Sequence, residues 1–334
     1  MKILLTGMAG FIGFNLCDKI LARYPGAQIT GLDNINDYYS TSLKKDRLKE
    51  LGFAPSDIAE NKIIKSQNPA LSFIKADLKD KAVIDNLIKE EKFDYIIHLA
   101  AQAGVNYSLQ NPQAYVDSNI TGFLNILEAC RNYGVKHLIY ASSSSVYGEN
   151  EKMPFSEADR VDSPVSLYAV TKKTNEAMAR VYSHLFNVRS TGLRFFTVYG
   201  PWYRPDMALY IFAKKIFAGE TIGLFNYGKM KRDFTYIDDI NDGIVNLIEK
   251  VPHDTEIYNI GNNNPSDLLD VVKVLEEACG KKAKTELLPM RPGDVVTTYA
   301  DIEKLNKAVG FEPKTGLCEG IEKFVKWYRA YYKV

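Results

Sequence analysis

Thr6-Gly7-Met8-Ala9-Gly10-Phe11-Ile12-Gly13 closes the apolar run Lys2–Thr6 and opens a segment, residues 11–24, whose apolar residues recur at helical spacing. The pattern predicts a strand, a tight glycine turn and a helix. Three glycines alone say little, but the next apolar run, residues 28–32, ends at Asp33, about 20 residues beyond the last glycine. In that order the parts have a physical logic. Backbone N–H groups at a helix start hold a pyrophosphate, and a carboxylate ending the second strand takes both ribose hydroxyls. Its charge repels a 2′-phosphate, so the expected cofactor is NAD rather than NADP. Gly7, Gly10, Phe11, Ile12, Gly13, Asp33 and Asn34 are its first candidate contacts.

Outward from this unit the alternation repeats. Residues 71–75, 95–99, 137–141 and 191–195 are strand-like, separated by helical patterns over 81–90, 114–133 and 168–186. Repeated βα units predict an α/β, Rossmann-type doubly wound parallel sheet. Ligands of such sheets bind at the carboxyl ends of strands, where Asp77, Leu78, Leu99, Ala100 and Ala101 fall as adenine and ribose contacts. His98, inside an apolar run, is expected as a buried, hydrogen-bonded imidazole outside the site. Residues 37–68 form an insertion with a charged helical stretch at 42–51, expected as a surface excursion. After Gly200 the pattern loosens into helices at 207–218, 239–249, 267–279 and 317–332, a smaller α/β C-terminal substrate lobe. The expected division is 1–187 with roughly 232–262 for the cofactor, and 188–231 with 263–334 for the substrate.

The 334 residues are 46% hydrophobic and 25% charged, which is ordinary for a globular chain and excludes disordered and fibrous classes. A net charge of +1 offers no field for a nucleic-acid polymer or a membrane surface, so an anion must be gripped locally. Cys17, Cys130, Cys279 and Cys318 are scattered without metal-ligand spacing, and are expected as free buried thiols with no metal bound. No signal segment and no run of about 18 apolar residues is present, so the expected home is the cytoplasm.

Tyr168-Ala169-Val170-Thr171-Lys172 sets a phenol and an ammonium on one face of the helix expected at 168–186. A tyrosine with a pKa near 10 works as a general base only beside cations. Lys172 and the positive nicotinamide ring are the cations expected to favour the phenolate, and Lys172 is also expected to bond the nicotinamide ribose. The fifth strand runs into Ser142-Ser143-Ser144-Ser145-Val146-Tyr147-Gly148, which brings hydroxyls to the sheet edge where substrate should lie.

The glycine loop, this serine strand end and Tyr-x-x-x-Lys together resemble the extended short-chain dehydrogenases/reductases, over essentially the whole chain. The resemblance implies that Tyr168 is the base, that Ser143 shares the proton-transfer hydrogen bond, and that Ser144 and Ser145 touch the sugar. It places Asn119 by the cofactor, structuring the site.

Within that superfamily the likeness is to UDP-glucuronate 4-epimerases. It is carried by Leu32-Asp33-Asn34, Asn36-Asp37-Tyr38-Tyr39, the stretch from Gly192 to Trp202, and Arg204-Pro205-Asp206-Met207-Ala208. Lys231 to Asp239 and Arg291-Pro292-Gly293-Asp294 add to it, with Arg232 and Arg291 expected on the diphosphate of a UDP-sugar. Met207 and Asp294 join the expected substrate contacts. The implied reaction oxidises carbon 4 transiently and returns the hydride to the other face. Glucuronate adds a hazard, because its 4-keto form is a β-keto acid that can lose carbon dioxide. Thr197 and Arg204 are the candidates for restraining that carboxylate. Tyr203 stands where the family usually has glycine, beside this clamp. Dehydratases and UDP-glucuronate decarboxylases carry an acid after the catalytic Ser or Thr, where Ser144 and Ser145 offer none. A neutral UDP-sugar 4-epimerase and a non-catalytic NAD sensor are the alternatives. The resemblance also implies a homodimer, with the faces of 114–133 and 168–186 available for it.

Overall fold

The computed structural model describes residues 1–250, 255–291 and 293–334. The first half of the chain lays down β1 (Lys2–Thr6), α1 (Phe11–Arg23), β2 (Gln28–Asp33), α2 (Thr41–Glu50), β3 (Ile63–Lys65) and β4 (Leu71–Lys75). Then follow α3 (Lys81–Glu91), β5 (Tyr95–His98), the short α4 (Tyr107–Gln110) and α5 (Pro112–Tyr115), α6 (Gly122–Tyr133) and β6 (His137–Ser143). The long α7 (Leu167–Phe186) and β7 (Ser190–Phe195) complete it.

The second half supplies β8 (Thr197–Tyr199), α8 (Ala208–Ala218), β9 (Thr221–Leu224), β10 (Lys231–Tyr236), α9 (Ile237–Glu249) and β11 (Glu256–Ile260). It ends with β12 (Pro265–Asp267), α10 (Leu268–Cys279), β13 (Lys284–Leu287), α11 (Glu303–Val309) and α12 (Leu317–Tyr332).

Eight strands form one sheet in the order β11-β7-β6-β5-β1-β2-β4-β3. The central strands read as apolar runs because helices cover both faces: α1 and α9 pack together on one, α3 and α6 on the other. Chain order reverses between β1 and β5, the point at which such sheets open a binding crevice. The expectation of a parallel sheet holds except at the edge, where β3 of the insertion pairs antiparallel with β4, Ile63 opposite Ile74.

Three expectations need correction. β7, assigned above to the substrate lobe, is an integral strand between β6 and β11, because its fully buried run Ser190–Phe195 needs neighbours on both sides. The helix expected over 114–133 is α5 and α6 joined by a π-helical turn at Val116–Thr121, which buries Asn119. Cys318 is exposed on the first turn of α12, while Cys17, Cys130 and Cys279 are buried as expected.

Two smaller sheets, β12-β10-β8 and β13-β9, lie beyond the large one. β8 follows β7 after one residue, so the chain passes straight from the large sheet into the smaller three-stranded one. Aromatic residues of α12 close over this region, with Trp327 and Tyr331 packed on Trp202. Among the described residues no helix is long and apolar enough to cross a membrane, and no cluster suits a metal ion.

Candidate active site

A cavity of about 490 Å³ opens along the carboxyl ends of β1, β2, β4, β5 and β6 and continues to β8 and β10. At one end is the glycine loop. Gly7 takes φ +77°, and a Cβ on it would sit 2.8 Å from Ala100 N. A Cβ on Gly13 would lie 2.3 Å from the Gly7 carbonyl, so the turn closes only without side chains. No side chain caps α1, so Gly10, Phe11, Ile12 and Gly13 present their backbone to the cavity, as a pyrophosphate requires.

Asp33 accepts from Ile35 N at 2.8 Å through Oδ1, which fixes the carboxylate and keeps Oδ2 for a ligand. Asn34, Asp77, Leu78, Leu99, Ala100 and Ala101 line the same end. The donor set and shape therefore fit an adenosine diphosphate moiety with a free ribose 2′-hydroxyl. Asn119 does not itself line the cavity but structures its wall. Its amide is spent on Gln102, accepting from N at 2.8 Å and donating to O at 2.9 Å, and on Thr171 Oγ1 at 3.0 Å. It is buried behind the cavity wall and positions the loop after β5 and the start of α7. His98 behaves as expected: its Nδ1 lies 2.9 Å from Thr6 Oγ1, and burial, aided by the charge of Lys172, pushes its pKa down to about 3.

Tyr168 and Lys172 both line the cavity from the first turns of α7, whose Ser166 caps the helix by accepting from Ala169 N. Lys172 is 2% exposed, donates to Ala141 O at 2.8 Å, and places Nζ 6.0 Å from the centre of the Tyr168 ring. Burial brings the ammonium down to about 8, against the pull of Glu176. The phenol of Tyr168 shifts the other way. Burial raises its pKa, and the Ser143 hydroxyl and Arg204 charge only partly oppose that. The protein by itself thus keeps Tyr168 protonated, and ionisation requires the further positive charge of a nicotinamide ring. Ser143, Ser144 and Ser145 line the cavity beside it, and Ser143 Oγ accepts from Ser145 Oγ at 3.0 Å.

Thr197, Arg204, Met207, Arg232 and Asp294 share the other end. Arg232 donates to the carbonyls of Lys231, Val296 and Val295 at 2.8, 3.0 and 2.7 Å. Burial lowers its pKa, with Asp294 opposing, so an incoming anion would relieve an under-compensated guanidinium. Arg291 is a correction: it is exposed, lies 3.5 Å over the Phe225 ring, and does not line the cavity. Pro292 of its motif lies outside the described residues. Arg204 is bound bidentately by Asp206, Nε to Oδ1 at 3.0 Å and Nη2 to Oδ2 at 2.5 Å. Tyr203 is 1% exposed, its ring edge-on to Phe11 and to Phe324 of α12, so most of its bulk is absorbed by the core.

Sequence reasoning missed Asn36, Tyr38, Tyr39 and Lys44, which line the cavity from the insertion. The expected surface excursion is instead partly a wall. α2 carries few apolar residues, and a charged helix reads as solvated, yet Lys44 and Arg47 are buried. The detectable signal was the tyrosine pair ahead of that helix.

The NAD dependent epimerase/dehydratase family model matches residues 3–261. Protein CapI of Staphylococcus aureus is 46% identical, with 100% of both chains covered. UDP-glucuronate 4-epimerase 2 of Arabidopsis thaliana is 41% identical over 100% of this chain and 77% of that protein. Among solved structures, UDP-glucuronic acid 4-epimerase of Bacillus cereus, in complex with UDP-glucuronic acid and NAD, superposes with a TM-score of 0.90. The two share 34% identity over 99% of this chain and 100% of the other.

Proposed function

We propose, from the premise that this chain belongs to the NAD-dependent epimerase/dehydratase family, that it interconverts UDP-glucuronate and UDP-galacturonate by epimerisation at carbon 4. The observation that carries this reading is one cavity shared by the glycine loop and Asp33, by Tyr168, Lys172 and Ser143, and by Thr197, Arg204 and Arg232.

When bound, NAD would supply reversible hydride acceptance for the oxidation and re-reduction of carbon 4. Gly7, Gly10, Phe11, Ile12 and Gly13 would hold its pyrophosphate, and Asp33 its adenosine ribose. We assign Tyr168 as the group that takes the 4-hydroxyl proton and later gives it back, with Ser143 aligning that hydroxyl. Lys172 holds positive charge beside the phenol through its bond to Ala141. Arg232 would meet the diphosphate, with Asp294 and Met207 nearby. Thr197, Arg204, Ser144 and Ser145 would fix the sugar carboxylate so that its bond to carbon 5 stays out of line with the transient ketone.

The test is incubation of the purified protein with UDP-glucuronate, with products identified by NMR. UDP-galacturonate is expected. UDP-xylose or a 4-keto pentose would replace the reading with a decarboxylase, and turnover of UDP-glucose alone with a neutral-sugar epimerase. Replacing Arg204 with alanine should weaken UDP-glucuronate turnover far more than any UDP-glucose turnover, and equal losses would remove Arg204 from the carboxylate.

The same reading includes a homodimer built on α6 and α7. Leu124 on α6 and Val170, Val181 and Leu185 on α7 are 39%, 41%, 49% and 60% exposed, an apolar face suited to a second copy. Sedimentation would report a monomer if this is wrong. Free, mutually distant cysteines support a reducing, cytoplasmic setting.

A further inference from the structure

Tyr38 and Arg47 of the insertion bond to the segment that carries Arg204. Tyr38 Oη donates to Asp206 Oδ2 at 3.1 Å, and the Arg204 guanidinium carbon lies 5.9 Å from the Tyr38 ring centre. Asp206 engages Nε and Nη2 of Arg204, and neither of those bonds uses Nη1 of this cavity-lining residue. Arg47 is 0% exposed and holds the other end of the segment. Its Nη2 donates to Trp202 O at 2.6 Å, and its Nη1 to Ala9 O at 2.9 Å and Tyr39 Oη at 2.8 Å.

Trp202 takes φ +64°, a conformation that costs energy for an aromatic residue and is retained where surroundings impose it. The bond from Arg47 is part of that surrounding. A fully buried guanidinium bonded to oxygens of neutral groups is an expensive device for bracing a turn. It reaches two backbone carbonyls on different elements at once, which a lysine ammonium lacks the planar fork to match. The cofactor loop at Ala9 and the turn before Arg204 are therefore tied through one side chain, and the far end of the turn is tied through Tyr38 and Asp206.

We propose that Tyr38, Arg47 and Asp206 are positioning residues that fix Arg204 with its open edge toward the sugar carboxylate, and that the insertion thereby selects carboxylated over neutral UDP-sugars. This rests on the assignment of Arg204 to the carboxylate. A guanidinium bonded on one edge turns little about its last torsions, so the carboxylate it binds turns little either. Loosening it lets the bond from carbon 5 to the carboxylate align with the 4-keto π system. The electron pair of that bond then passes into the carbonyl, carbon dioxide leaves, carbon 5 takes up a proton, and the cofactor stays reduced.

The experiment compares Tyr38→Phe, Asp206→Asn, Arg47→Lys and Arg204→Ala in the full-length enzyme. It reads KM for UDP-glucuronate, the ratio of carbon dioxide to UDP-galacturonate, and the affinity for UDP alone, which has no carboxylate. Tyr38→Phe and Asp206→Asn are each expected to raise KM roughly ten-fold and to increase the carbon dioxide fraction, with UDP affinity within about two-fold. Unchanged KM and product ratio in both, or UDP affinity lost in parallel, would overturn the proposal. If Arg47→Lys does not fold, Tyr38→Phe still decides, since it removes a single hydroxyl. Failure of the underlying reading looks different. Arg204→Ala would then keep the wild-type preference for UDP-glucuronate over UDP, whereas a selective loss in Arg204→Ala beside a silent Tyr38→Phe leaves the reading intact and sinks only the positioning role.

Discussion

Lys172 hangs from the carbonyl of Ala141, at 2.8 Å, two residues before Ser143 on the strand that ends at the serine turn. Helix and strand are registered to each other by that bond, so the ammonium and the serine turn cannot move apart independently. Its setting also makes the charge fragile.

Burial has brought Lys172 down to about 8, and Glu176 one turn along α7 opposes that. A cation with a lowered pKa is charged below that value and neutral above it. Turnover that depends on the charge should therefore decline as pH rises through about 8. Glu176→Gln removes the opposing charge, so the alkaline limb of kcat/KM should move to lower pH. A limb that stays in place would show that Lys172 does not set it. General loss of stability would lower the profile without displacing it.

Tyr168→Phe keeps the ring and its edge-on packing with Tyr115 but removes the hydroxyl proposed to accept the proton. Turnover should fall by about a hundred- to ten-thousand-fold, while the protein purifies with unchanged NAD content. Loss of NAD together with activity would move Tyr168 from proton transfer to cofactor binding.

How much of this was readable depended on whether a residue acts through local pattern or through distant contact. The glycine loop, Asp33 and the Tyr168–Lys172 spacing are local devices on adjacent elements, and the structure places them together in one cavity. β7 was misassigned because a fully buried strand and a lobe-entry strand have the same apolar run. Arg291 and Asn119 were placed by family resemblance, whereas cation–π contact with Phe225 and the hydrogen bonds to Gln102 depend on which loops the fold brings near. The tyrosine pair at 38–39 was legible as a motif, but the contacts of Tyr38 and Arg47 were not: their partners Asp206 and Trp202 lie far along the chain, and no short window contains both.

Gly13→Ala should damage the cofactor site before anything else. The added Cβ would lie 2.3 Å from the Gly7 carbonyl and 3.0 Å from Met8 Cα, both backbone, so the loop itself must shift. The expected result is protein that loses NAD on gel filtration and melts at a lower temperature, with the melting difference widening when NAD is added to both proteins. Equal stabilisation of both by NAD would mean the loop tolerates the methyl.

Glu176 and Arg194 form a buried bidentate pair, Nε and Nη2 at 2.9 and 2.8 Å, with side chains 7% and 4% exposed. Glu176 also accepts from Ser142 Oγ at 2.6 Å, so the pair anchors the strand end next to Ser143. Removing either partner strands the other charge away from water, at a cost of about 3–5 kcal/mol. Glu176→Met and Arg194→Met should each show that loss in urea unfolding. The double variant buries two apolar chains of similar size and should recover much of it, because the desolvation of both ions is relieved together. If the ion pair served stability alone, the double variant would regain activity along with stability. With Ser142 unanchored, turnover is instead expected to stay depressed in the stable double variant, and full recovery would show that the serine turn holds its place without Glu176.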